Sequence, residues 1–384
     1  MLKLLPSLLA STLIGLSLPS FASADAEELR LPKASAELGT VVQRYHGLTE
    51  GLQQKLAQSQ NEKQVTQLAA AQGERLWQQA VRDVQSGNID DRSLYWSRLM
   101  MRTQAKNDKV GYNIAPWQRD ILVRAIETAS RGLSDIHFGD DVQIRILLTG
   151  FDPFFLDRNI QQSNPSGITA LMLDGYRFKV GGKQAQIETA MIPVRFADFD
   201  QGMIESLLTP LYRKRAIEAV FTVSMGREDF DLERFPGRNR SADAPDNLNV
   251  LTGANKSRPI APMLNGKPLM GDEFVEFSLP ASAMQAAPGN FKINDNHKIT
   301  TLEKGEFEAK SLGELTSATS VEGSGGGYLS NEISYRAVLL KNQFGLKIPV
   351  GHIHTPKISG VDSEKSKAIA EQVRTMVELA AATL

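Results

Sequence analysis

Residues 144–150 read IRILLTG, an almost unbroken apolar run closed by a glycine. A strand covered on both faces has this composition, because neither side of it meets water. Residues 187–195 and 217–223 have the same character and predict two further strands. Segments of helical spacing, residues 166–173 and 203–212, lie between them. The pattern resumes near the end: residues 332–340 predict a helix, 346–353 a strand and 363–379 a closing helix. In that last helix Ile369, Val373 and Met376 form one stripe, and Ser363 is a plausible cap. Strands alternating with helices predict an α/β fold for residues 141–384, a three-layer α/β/α sandwich with a mostly parallel mixed sheet.

Upstream, residues 25–140 read as an added helical region. Leu48, Leu52, Leu56, Val65, Leu68, Leu76, Val81 and Val84 recur at roughly helical spacing. Leu94, Trp96, Leu99 and Met100 begin a second apolar group, and Trp117, Ile121, Leu122 and Ile126 mark a helix that ends before Gly132. All three tryptophans, Trp77, Trp96 and Trp117, fall in this region, where packing between helices is the simpler reading and ligand stacking the alternative. No catalytic signature occurs there. Ahead of it, residues 1–24 combine Lys3, an apolar stretch broken by Pro19 and the small residues Ala22-Ser23-Ala24, as in a secretory leader. The stretch from Leu4 to Leu18 is too short to anchor in a bilayer, and no later segment spans one, so the expected location is periplasmic or secreted.

Composition narrows the function. The 384 residues carry 43 basic and 44 acidic side chains, so there is no overall positive field to hold a nucleic acid. Cysteine is absent, which removes disulfides, thiolate metal sites and a thiol nucleophile. Residues 236–327 are rich in Gly, Pro and Asn, and predict exposed loops forming a wall or lid above the strand ends. Apolar stripes of the helical region could serve an internal dock or a homo-oligomer.

Three places could carry chemistry. In GSGGGYLSN, residues 323–331, a glycine run delivers Ser330 and Asn331 to a predicted helix start, where unpaired amides could hold an oxyanion; a flexible loop ending in a helix cap explains it equally. In VGHIHTP, residues 350–356, His352 and His354 share one side of a strand end. They could be a general base, ordinary hydrogen-bonded histidines or, with further ligands not evident in the sequence, part of a metal site; no metal is expected. In SMGREDFDLERFPG, residues 224–237, the acids could orient a histidine or simply form a solvated surface run. No cofactor is expected: GSGGG lacks the lysine of a phosphate loop, and TGFDPF lacks a dinucleotide-binding glycine pattern.

Four segments in order then carry a resemblance. LLTGFDPFFLDRNIQQSNPSG (147–167), the Gly226-Arg227 pair with Glu233 beyond it, Pro245-Asp246-Asn247, and GGGYLSNEISY with GHIHTP together resemble the pyroglutamyl peptidase I (pyrrolidone-carboxylate peptidase) family over about residues 144–384. The resemblance implies a Glu, Cys, His peptidase that removes an amino-terminal pyroglutamyl residue. Its acid falls on Glu233, its histidine on His354 and its cysteine on Ser330, so the resemblance implies a divergent member with serine in place of the nucleophilic cysteine. Its substrate-contacting phenylalanines fall on Phe151 and Phe154, with Asn331 beside the nucleophile, and the implied partner is a peptide or small lactam-containing substrate. An amide side chain that the family carries before its Gly-Arg pair is replaced by Val223. A serine must lose its proton during attack, so it needs His354 within about 2.6–3.2 Å and Glu233 behind it. Two functions follow: a Ser-His-Glu hydrolase, or an inactive peptidase fold that binds peptide termini or an envelope partner.

Overall fold

The computed structural model describes residues 24–384; apart from Ala24, the leader reading lies outside the described residues. Seven strands form the main sheet: β1 (Ile144–Phe151), β2 (Arg177–Val180), β3 (Lys183–Ile192), β4 (Ala219–Met225), β5 (Phe230–Glu233), β6 (Ile293–Asn296) and β7 (Val350–Thr355), in the order β2-β3-β1-β4-β7-β5-β6. β3, β1, β4 and β7 run parallel. β2 is antiparallel to β3, and β5 is antiparallel to β7. Helices α1 (His46–Gln58), α2 (Glu62–Gln85), α3 (Arg92–Asn107) and α4 (Pro116–Ala129) precede the sheet. Of the later helices, α5 (Pro165–Leu173) and α8 (Ser363–Ala381) pack together on one face, α6 (Met203–Arg213) and α7 (Leu329–Gln343) on the other. The chain is therefore the predicted α/β/α sandwich preceded by helices.

The differences from the sequence expectation have local causes. β3 begins earlier than expected because its first residues, Lys183 and Gln184, pair with edge strand β2. Gly181 and Gly182, with φ of 56° and 80°, make the tight turn between them. β7 starts only after Pro349, which has no N–H to give a sheet, and runs on to Thr355, so His354 lies inside the strand. The acidic run is not a solvated surface: Phe230–Glu233 is a buried strand. Residues 236–327 are also more than exposed loops. They supply β6 and a small three-stranded sheet (Lys298–Thr301, Gly305–Glu308, Ser320–Glu322) over its own core of Phe235, Phe274, Ile299 and Leu315.

Trp77 and Trp96 are fully buried, whereas Trp117 is 56% exposed and packs no interface of this kind. Trp77 shares its cluster with Ile168 and Leu171 of α5, so the added helices and the sandwich have apolar core in common. The same junction holds a buried ionic network. Asp152 accepts from Arg98 at 2.8 Å and from Arg131 at 2.6 Å, all three groups being buried. Glu127 pairs with Arg131 and Arg195. Glu27, completely buried, accepts from Tyr95 and Arg102 at 3.0 Å, Arg195 at 3.1 Å and Asn247 at 3.3 Å. Asn247 also donates to the Pro153 carbonyl at 2.9 Å, which links the first described residues to the loop after β1.

Two carboxyl groups in this junction respond to pH with opposite sign. Burial alone would raise Asp152, but Arg131 and Arg98 override it and hold it below the usual 3.8. Its contribution is complete above that value and is lost as the pH falls through the folded pKa. Asp152→Asn leaves the buried Arg98 without its paired carboxylate and Arg131 with Glu127 alone, and is expected to cost about 3–5 kcal/mol at neutral pH. Urea unfolding should show that gap closing only at strongly acid pH. Burial pushes Asp91, which accepts from Ser163 at 2.6 Å, up to about 8. The folded state then retains a proton that the unfolded chain releases, so stability declines as pH rises from about 4 to 8. Asp91→Asn is expected to flatten this decline, measured as the urea midpoint at pH 5 and pH 8.5.

Candidate active site

β7 places His352 and His354 on one face, two residues apart. Lateral pairing brings Thr222 and Ser224 of β4 beside them on one side, and Asp231 of β5 beside His354 on the other. This polar row crosses the sheet interior. His354 Nδ1 lies 2.5 Å from Glu233 Oε1, and Asn296 of β6 donates to Glu233 Oε2 at 2.8 Å. Glu233 is wholly buried, so both carboxylate oxygens depend on these partners. Burial pushes its carboxyl above the usual glutamate range, while His354 and Asn296 draw it back. Nδ1 is thus committed to the acid, which leaves Nε2 as the nitrogen available for chemistry.

Ser330 stands in the first turn of α7, whose N-cap Tyr328 makes no side-chain cap. The glycines before it serve close packing. A Cβ on Gly327 would come within 2.0 Å of Ser241 Oγ, and one on Gly323 within 2.0 Å of Asn331 Oδ1. Asn331 does not face the substrate side. Its amide accepts from the Gly237 N–H at 2.9 Å and donates to the Gly237 carbonyl at 2.7 Å, so it positions the loop. Ser330 Oγ donates to the Gly325 carbonyl at 3.2 Å rather than to His354. The acid–base pair is therefore assembled, and the hydroxyl is engaged elsewhere.

Ser330 and Ser224 share the wall of a cavity of about 220 Å³ with Phe151, Phe154, Phe155, Val194 and Met225. The lining is chiefly apolar, with Asn164, Ser224 and Ser330 as polar points, and suits a small ring carrying few polar atoms. Phe155 holds φ at 59°, a left-handed conformation that a phenylalanine adopts at a cost of about 1–3 kcal/mol. Arg158 lies 4.6 Å from its ring centre. Phe154 follows Pro153, whose carbonyl is held by Asn247, and Tyr328 donates to the Pro245 carbonyl at 2.9 Å. The Pro-Asp-Asn segment thus supports the wall from behind. A larger hollow of about 550 Å³ near Arg124 and Asp198 has no histidine in its lining. Among the described residues, no group of three or more His, Asp or Glu side chains is arranged to hold a metal ion.

Sequence reading did not single out Ser224, Phe155, Tyr328 or Asn296. Ser224 had a signal in the alternation of TVSM, which presents Thr222 and Ser224 on one face next to HIH. Asn296 had none, because its strand follows a segment of loop composition.

The family described as "PA0049, C-terminal domain" matches residues 145–275 and 291–359, more than half of the chain. The chain belongs to this family. Its partner description, "PA0049 N-terminal domain", matches residues 16–127. The PA0049 family chain is 28% identical to "Uncharacterized protein PA0049" of Pseudomonas aeruginosa, over 75% of this chain and 69% of that one. It is similar to a mutant pyrrolidone carboxyl peptidase from Pyrococcus furiosus at 21% identity, covering 63% of this chain and 100% of that chain with a TM-score of 0.43. A structure of pyrrolidone carboxyl peptidase from the same organism, described together with its Cys-free mutant, is similar at 20% identity, covering 62% and 98% with a TM-score of 0.41. Among the described residues, no helix is long and apolar enough to cross a membrane.

The buried dyad has a direct spectroscopic check. A proton between Nδ1 and a carboxylate at this separation is expected far downfield in the proton NMR spectrum. It should persist in Ser330→Ala and disappear in Glu233→Gln, whose folding a far-ultraviolet spectrum would verify.

Proposed function

We propose that this chain is a hydrolase that removes an amino-terminal pyroglutamyl residue, with Ser330 as nucleophile, His354 as general base and Glu233 as its orienting acid. The observation that carries the reading is the buried His354–Glu233 pair, whose strand neighbour Ser224 lines a small aromatic cavity walled also by Ser330. Support also comes from the order of the four sequence segments that resemble the pyroglutamyl peptidase I family.

In this reading the scissile carbonyl enters above Ser330, and the hydroxyl rotates from the Gly325 carbonyl toward His354 Nε2. Proton transfer to His354 accompanies attack, and Glu233 compensates the imidazolium that forms. First-turn amides of α7 stabilise the oxyanion at the uncapped helix end. His354 returns the proton to the leaving amine, and water releases pyroglutamate in a second step. Phe151 and Phe154 enclose the lactam ring. Serine suits an oxidising compartment, and we propose export on the leader-like residues 1–24; amino-terminal sequencing of the mature protein should then begin at Asp25.

A second reading is a peptidase fold that binds amino-terminal pyroglutamyl groups without cleaving them, and the engagement of Ser330 with Gly325 favours it. A pyroglutamyl fluorogenic amide separates the two. The hydrolase reading expects turnover by the wild type, with losses of about 10³-fold or more in kcat for Ser330→Ala, His354→Ala and Glu233→Gln. Equal inactivity of wild type and Ser330→Ala over a range of pH, with tight binding of the uncleaved peptide, would establish the binder instead.

A further inference from the structure

His352 does not belong to the dyad. It is fully buried, its Nδ1 lies 2.8 Å from Thr222 Oγ1, and its Nε2 lies 2.7 Å from Ser224 Oγ. Ser224 in turn lines the cavity beside Ser330. At first sight this is a serine–histidine pair ready for attack. Electrostatics argue against it. An imidazolium at His352 would have a hydroxyl rather than a carboxylate on its far nitrogen, and His354, the base with a counter-charge, sits with its ring centre 4.7 Å away. Burial and the neighbouring His354 together hold His352 well below the usual histidine range, so it is neutral where His354 works.

A neutral imidazole has one donor and one acceptor nitrogen, and the surroundings select which is which. Thr222 Oγ1 is also 3.3 Å from the Gly351 carbonyl, to which it can only donate. With its proton there, Thr222 accepts from Nδ1–H of His352. Nε2 is then bare, and Ser224 must donate to it. A serine whose proton is committed in this way offers only lone pairs on its remaining side.

We propose that Ser224 is a specificity residue that presents its hydroxyl oxygen as a hydrogen-bond acceptor to a ligand N–H in the cavity, with Thr222 and His352 as positioning residues that fix this polarity. The ligand class is a small ring or chain end with an amide N–H, such as a secondary lactam. The assignment rests on the proposed pyroglutamyl reading for the identity of the ring, and it explains how an apolar cavity distinguishes a lactam from a carbocycle of equal size. The same hydroxyl oriented the other way would favour a ligand acceptor, so the relay determines the sign of the preference.

Two measurements test it. Nitrogen-detected NMR of His352 reports its tautomer without any ligand: Nδ1–H is expected, and Nε2–H would overturn the proposal. Binding to Ser330→Ala protein, which cannot turn substrate over by the proposed route, is then compared by calorimetry for a pyroglutamyl peptide amide and its N-methyl-lactam and cyclopentanone-carboxylic counterparts. The N–H compound is expected to bind about tenfold or more tightly than the cyclopentanone compound, the worth of one good hydrogen bond. Adding Ser224→Ala should remove most of that ratio, and Thr222→Val, of nearly the same shape, should reduce it while leaving the cyclopentanone affinity unchanged. Equal affinities for the lactam and cyclopentanone ligands would overturn the role of Ser224 alone. Failure of all three to bind would overturn the pyroglutamyl reading and this assignment with it.

Discussion

A carboxylate cut off from water must have its charge met by the protein, and at Glu233 that requirement organises the middle of the molecule. Its partners come from two strands that are far apart in sequence: His354 from β7 and Asn296 from β6. Both are in place only when β5 is inserted antiparallel between them, so the direction of that short strand determines whether the dyad exists. A parallel β5 would have been the commoner continuation of the sheet. Reversal allows a four-residue strand to present Asp231 and Glu233 on the face already occupied by the two histidines.

Around this pair the sheet divides its polar groups by role. His354 has a carboxyl neighbour; His352 has hydroxyl neighbours, and burial holds it well below the usual histidine range. Two residues of the same type, two positions apart on one strand, therefore sit in different electrostatic surroundings because their hydrogen-bond partners differ. The cavity meets this row through Ser224, the strand neighbour of His354 and the hydrogen-bond partner of His352.

Much of this architecture was legible in the chain. Apolar runs such as IRILLT and the helical stripe of Ile369, Val373 and Met376 identify elements buried by the sandwich, since burial of that kind leaves a direct mark on composition. The ordered segments pointed to Glu233, His354 and Ser330; the structure joins the first two, Ser330 turns to the Gly325 carbonyl, and Phe151 and Phe154 line the cavity. Elements that serve the polar row were harder to see. β5 is charged because it faces buried partners, and charge in sequence ordinarily signals solvent. Asn331 was misread because its position beside a candidate nucleophile says nothing of its side-chain direction, which the Gly237 backbone determines. The glycines of GSGGG looked like a flexible approach to a ligand, yet two of them mark places where neighbouring chain leaves no room for a Cβ.

The link from Glu27 through Asn247 to Pro153 has a consequence for biogenesis. Glu27 leaves the ribosome before Arg195 and Asn247, which help neutralise it and fasten it and are made more than 150 residues later. The segment around Glu27 must therefore wait, solvated, while its partners are synthesised, and its docking is one of the late closures of the folded chain. An isolated sandwich lacking it would keep Asp152 and Arg195 but not their upstream counter-ions, so the helical portion is better regarded as a keystone than as an appendage.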